Sequence, residues 1–256
     1  MNSFTEFLRH NAIETSETLP LVHTTRSFRL RKIIETSSIE AQDCDVFIGE
    51  KLNYFFVGRP SYKYDVEDGT DHWMLPTAFV FDFDAVRAKR LFPFDSGGFA
   101  KKRMPQFVNE MEVSFFDAAG VSEAAQRIIG AFFGNAKNYM DFRGLSDREF
   151  FEIFELSPLD AEIHALHKLS LDPKKPSFDD RQFSIEVQSE TPIFLNNQLK
   201  AVVLPVVYLD DPSLVNYFQN IDVQILSYDI HPIEPKFHFY AIYDRIKTFY
   251  QSEGLI

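Results

Sequence analysis

The sequence predicts an α+β fold on three observations. Strand-like segments cluster near both ends of the chain, and helix-like segments fill the middle between about 105 and 178. The 256 residues are also 45% hydrophobic, with 28 Phe, enough apolar surface to offset the entropy of ordering. If strands from both flanks share a sheet, residues 1–256 form one domain and 105–178 a helical insertion.

The first dozen residues read as a helix. Ser3 and Glu6 have capping-box spacing, and Phe4, Phe7 and Leu8 share a face. Residues 19–24 follow as a short apolar strand, after which Thr25 or Ser27 is expected to cap a helix through Phe28, Leu30, Ile33 and Ile34. Residues 53–57 are strand-like by aromatic and β-branched content, stopped by Gly58 and Pro60. Residues 76–83 alternate Phe79, Phe81 and Phe83 with Val80 and Asp82, which predicts a strand with one face partly open.

Helices are predicted at 105–117, at 122–134 after Ser122, at 147–155 behind the capping box Ser146…Glu149, and at 158–169 with Pro158 in the first turn. The breaker-rich stretch 172–177 reads as a loop. Strands return at 182–188, 199–208 and 221–229. A short helix at 212–219 opens on Asp211-Pro212, and an amphipathic helix closes the chain at about 236–250.

The single cysteine, Cys44, excludes an internal disulfide framework. The first residues lack a secretory leader pattern, and no apolar run approaches the roughly 20 residues of a membrane helix. A cytoplasmic protein with no membrane partner is expected. A net charge of −12, from 26 basic and 38 acidic side chains, makes a poor general binder of nucleic acid, whose affinity comes mainly from phosphate contacts. Lys101-Lys102-Arg103 is the densest basic run; Arg26, Arg29, Arg31 and Lys32 form a second.

Three polar islands stand in apolar surroundings: His23-Thr24-Thr25 after Leu19-Pro20-Leu21-Val22, Arg59 within 53–64, and Glu186 within 181–188. Each lies on or just after a strand-like segment, where a side chain is held rigidly. This order resembles the ADP-ribosyltransferase superfamily, and within it the DarT-like branch, whose members modify DNA bases using NAD. The resemblance implies a split mixed sheet and a chain that takes NAD as substrate. It passes ADP-ribose to a macromolecular acceptor, whether DNA, RNA or protein.

Carried over residue by residue, the resemblance gives the roles. Glu186 and Arg59 are catalytic. His23, Thr24 and Thr25 hold NAD, and Tyr54, Phe55 and Tyr62 wall the nicotinamide pocket. Gln188 and Glu190 join the site, because Gln188-Ser189-Glu190 also fits the family's paired pattern, which leaves Glu190 as a second candidate for the catalyst. Such proteins often act as toxins or phage-defence effectors, with an antitoxin as the matching partner. An NAD glycohydrolase would use the same site with water as acceptor.

The plainer readings are a strand-end histidine, a loop-bonding arginine and a solvated acidic face, which together describe a catalytically silent α+β binding protein. His164 and His167, at i, i+3, have the spacing of two metal ligands but no recognisable third. No metal site is expected.

Overall fold

The computed structural model describes residues 3–10, 18–61, 71–171, 180–196, 198–229 and 238–256. The first half runs α1 (Phe4–His10), β1 (Leu21–Arg26), α2 (Leu30–Thr36), β2 (Ser38–Ile39), β3 (Gln42–Asp43), β4 (Lys51–Val57), β5 (Pro76–Phe81), β6 (Arg90–Phe92) and α3 (Ser96–Ala100). The helical block holds α4 (Gln106–Asn109), α5 (Ala124–Phe133), α6 (Ala136–Met140), α7 (Asp147–Ile153) and α8 (Ala161–Ser170). The last part is β7 (Glu186–Ser189), β8 (Ile193–Phe194), β9 (Leu199–Pro205), α9 (Pro212–Asn220), β10 (Gln224–Tyr228) and α10 (His238–Ser252).

Strands from both flanks do share a sheet. Its order is β10-β9-β5-β1-β4-β7-β6, with β3 added to β4, while β2 and β8 pair separately. The β9–β10 ladder is parallel and the others antiparallel, so the sheet is mixed and the fold α+β. All six residues of β5 are buried, against the open face expected from its alternation. The reason is position: β5 lies between β1 and β9, where even its small residues are covered.

One feature of the register places the site. Strand β1 pairs with β4 only at Leu21–Val57 and Val22–Phe56, and among the described residues their ladder ends there. From His23 to Arg26, β1 stays with β5, while β4 from Phe56 back to Asn53 pairs with β7. The sheet therefore opens into a split whose lips are His23–Arg26 and Asn53–Phe55. At its closed end the Gly58 N–H donates to the Pro20 carbonyl at 2.7 Å. Gly58 has φ +68, and a Cβ there would come within 2.8 Å of Leu19 Cδ1. Only glycine makes this turn without strain.

The helical block packs through phenylalanines. Phe132 lies 5.7 Å from Phe150 and 6.1 Å from Phe7, and Phe133 meets Phe183 edge-on at 5.0 Å just before β7. Several boundaries move from the expected ones. Neither Thr25 nor Ser27 caps α2; the Ser27 hydroxyl bonds Thr77 Oγ1 at 2.7 Å instead. The expected helix at 105–117 shrinks to α4 and a 3-10 turn at Val113–Phe116, because the Asn109 amide turns back to the Met104 carbonyl. Helix α8 begins at Ala161 and not at Pro158, since Ser157 and Asp160 first close a turn of their own at 2.9 Å. Strand β6, α3 and α6 were not expected from the sequence.

Candidate functional site

A cavity of about 570 Å³ opens at the split. His23, Thr24 and Thr25 line it from one lip, Tyr54 from the other, and Glu186 from β7 behind. The segment 38–46 closes one side. Asn53 ties that segment down, donating from Nδ2 to the carbonyls of Ile39 and Thr191, each at 3.1 Å.

His23 Nδ1 lies 2.9 Å from the Tyr54 carbonyl, which can only accept, so the ring carries its proton on Nδ1. Burial holds the imidazole well below its usual pKa, at about 4, against the opposing carbonyl bond. His23 is thus neutral at pH 7. Its ring sits 5.5 Å from that of Phe55, which is fully buried and supports the histidine from beneath. Phe55 therefore packs the core and is not a wall of the cavity. The Tyr54 hydroxyl is 2.7 Å from Cys44 Sγ, and the sulfur also accepts from the N–H groups of Val46 and Phe47.

Glu186 is 1% exposed. Its Oε1 accepts from Ser96 Oγ and from Gln188 Nε2, both at 2.7 Å, and Oε2 accepts from the Ser96 N–H at 3.2 Å. Gln188 Oε1 in turn accepts from Arg90 Nη1 at 3.2 Å, and Glu50 clamps Arg90 at 2.7 and 2.9 Å. Burial first, then the charge of Asp95, push the Glu186 carboxyl up to about 8, while the bonds from Ser96 and Gln188 pull the other way. An acid this deep and this costly, facing a cavity, is a mark of function.

The other residues separate. Glu190 is exposed, pairs with Lys89 at 2.7 Å and is not among the residues lining the cavity. Of the two glutamates, the cavity takes Glu186. Gln188 is fully buried and acts on Glu186, with no place among the lining residues. Tyr62 lies outside the described residues.

Arg59 requires a correction, since it does not converge with His23 and Glu186. It is 0% exposed and absent from the cavity walls. Its guanidinium donates to the carbonyls of Phe183, at 2.5 Å, and Tyr139, and lies 3.7 Å above the rings of Tyr139 and Phe142. That cage joins the end of β4 to α6 and to the entry of β7. Carbonyl oxygens and ring faces meet the charge, away from the residues that line the cavity.

Sequence reasoning missed Asp95, Ser96 and Arg90. The signal was present: in Asp95-Ser96-Gly97-Gly98 the Asp95 side chain accepts from the Gly97 N–H at 2.9 Å and starts α3, as Asp before a short helix does. The basic runs also resolve. Arg29, Lys32, Lys101 and Arg103 line the cavity, whereas Lys102 turns to the Asn109 carbonyl at 3.3 Å. His164 and His167 bond the Ser157 carbonyl and Asp147, and no group of three metal-ligand side chains occurs among the described residues. No helix among them is long and apolar enough to cross a membrane. Comparison with protein-family models, curated proteins and solved structures gives no match.

Proposed function

We propose that the cavity binds NAD and that the chain transfers ADP-ribose from it to a macromolecule. The observation that carries this reading is the buried carboxyl of Glu186 on the wall of a cavity at the split between β1 and β4, which His23, Thr24 and Thr25 also line. The reading draws on the resemblance for the expectation of a split mixed sheet, and on β1, β4 and β7 carrying His23, Thr24 and Thr25, Tyr54, and Glu186.

The chemistry matches the parts. The bond from ribose C1′ to nicotinamide breaks with its electron pair leaving on nicotinamide. A bond from C1′ to an acceptor nitrogen or oxygen forms, and the acceptor's proton passes to solvent. Positive charge grows on the ribose between these events, and Glu186 in its ionised form, which gains population as pH rises toward about 8, stabilises the transition state more than the ground state, so transfer should rise with pH over that range. Neutral His23, with Nδ1 committed to the Tyr54 carbonyl, leaves Nε2 to accept from a ribose hydroxyl. Tyr54 offers a ring face for nicotinamide. The cations Arg29, Lys32, Lys101 and Arg103 suit a pyrophosphate, and those nearest the mouth suit a phosphate-bearing acceptor.

The test is thermal melting with NAD. A binder gains stability as RT ln(1 + [L]/Kd), so the melting temperature should climb with NAD concentration, and it should not climb when Glu186 and His23 are intact but the ligand is adenine alone. No response to NAD at millimolar concentration overturns the reading. Release of free ADP-ribose with no labelled acceptor would instead assign NAD glycohydrolase activity to the same site.

A further inference from the structure

We propose that Ser96 is a positioning residue for Glu186, with Asp95 as its counterweight: at the head of α3 Ser96 holds both carboxylate oxygens, and the Asp95 charge beside it opposes their ionisation. The inference rests on the reading of Glu186 as the group that meets the ligand.

With Glu186 ionised, the hydrogen count closes in one way. Gln188 Nε2 donates to Glu186 Oε1 at 2.7 Å and to Ser96 Oγ at 3.0 Å. Ser96 Oγ, having accepted there, spends its single proton on Oε1 at 2.7 Å, and the Ser96 N–H goes to Oε2. Arg90, donating to Gln188 Oε1, fixes which end of the amide faces Glu186. Oε1 thus holds two donors and Oε2 one, which leaves Oε2 as the oxygen with spare capacity for a ligand. Every donor in this set favours the ionised carboxylate.

Against them stands Asp95, next in the chain and on the same cavity wall. Its carboxylate is held by the Gly97 N–H, and its own N–H donates to the Arg181 carbonyl at 3.1 Å. The other charged and titratable groups that share the cavity wall with Glu186 are Tyr54, Lys101 and Arg103 beyond α3, Arg181 before β7, His23 across the split, Arg29 and Lys32 from the α2 side, and Glu40, Asp43, Cys44 and Asp45; Arg90 from β6 acts through Gln188. Asp95 is the anion that acts most strongly on Glu186 and raises its proton affinity, while the Ser96 bonds lower it. One dipeptide therefore carries two opposing influences on one carboxylate.

Two variants separate them. Asp95→Asn keeps an oxygen to accept from Gly97 and so keeps the start of α3. Ser96→Ala loses the hydroxyl bond and keeps the N–H. For each, the melting temperature is compared with that of the same protein carrying Glu186→Gln, from about pH 5 to pH 9 and without NAD. The difference reports Glu186 ionisation. Its midpoint should fall by roughly one pH unit in Asp95→Asn and rise by a similar amount in Ser96→Ala. In NAD turnover, Ser96→Ala should lower kcat by roughly tenfold or more and leave KM for NAD unchanged.

Midpoints that coincide with wild type, or that move in the same direction, overturn the proposal. If Ser96→Ala folds poorly, the direction of the Asp95→Asn shift decides alone. Opposed shifts without any NAD turnover would keep the positioning role and overturn the transferase reading.

Discussion

Glu186 and His23 carry opposite pH signatures, and both follow from burial. The folded carboxyl binds its proton up to about pH 8, well above an exposed glutamate, so the folded state holds more protons than the unfolded one between those values. Its contribution to stability is full below the unfolded pKa and is lost as pH rises through about 8. Glu186→Gln should therefore melt higher than wild type at pH 9 and gain little at pH 4, as differential scanning calorimetry would show. The same variant should lose nearly all transfer while retaining NAD binding, because the charge matters most once the ribose is cationic. His23 runs the other way: its folded pKa near 4 is below the unfolded value, so stability present above about 6.5 is lost as pH falls through 4. His23→Asn should blunt that acid limb, and a urea melt series between those pH values would reveal it.

Arg59 shows how an element is pinned, and why its role was illegible in the sequence. A polar residue after an aromatic strand has the same appearance whether it meets a ligand or fastens two layers. The difference is made by Tyr139, Phe142 and Phe183, at least 80 residues away in the chain, which form its cage. Arg59→Ala leaves buried carbonyls unmet and removes the ring contacts, at a cost of about 3 kcal/mol or more. Chemical denaturation should show that loss, while the protein that remains folded keeps its affinity for NAD.

By contrast, β1, β4, β9, β10 and the two capping boxes at Ser3 and Ser146 were legible, because apolar and aromatic runs and capping are local patterns, whereas of the strand expected at 182–188 only the end from Glu186 is β7 and Asp180–Phe183 is a 3-10 turn. The three residues of β6 were not, since so short a strand is fixed by its pairing with β7. Asp95 marks the start of α3 locally, but the bond from Ser96 to Glu186, 90 positions on, leaves no local pattern.

At the scale of the molecule, the net charge is −12, and the cavity wall carries both signs: Arg29, Lys32, Lys101, Arg103 and Arg181 stand among Glu40, Asp43, Asp45, Asp95 and Glu186. A phosphate-bearing ligand would meet its opposite charges only at such local cations, since the rest of so acidic a chain repels it. If the acceptor is nucleic acid, the rate of transfer should fall steeply with salt, and Ala at Lys101, Lys102 and Arg103 should flatten the slope by up to about 3 units, one per lost phosphate contact. Lys102, turned to the Asn109 carbonyl, should contribute least of the three. A rate indifferent to both salt and substitution moves the acceptor to protein or water.

The central claim is that Glu186, in the cavity where β1 and β4 part, drives transfer of ADP-ribose from NAD. It is tested most directly by incubating wild type and Glu186→Gln with NAD labelled on its adenylate half and separate pools of protein, DNA and RNA. The account predicts label on one pool with wild type, none with Glu186→Gln, and the same NAD-dependent rise in melting temperature for both. Equal labelling by the two proteins, or no label and no free ADP-ribose from wild type, would contradict it.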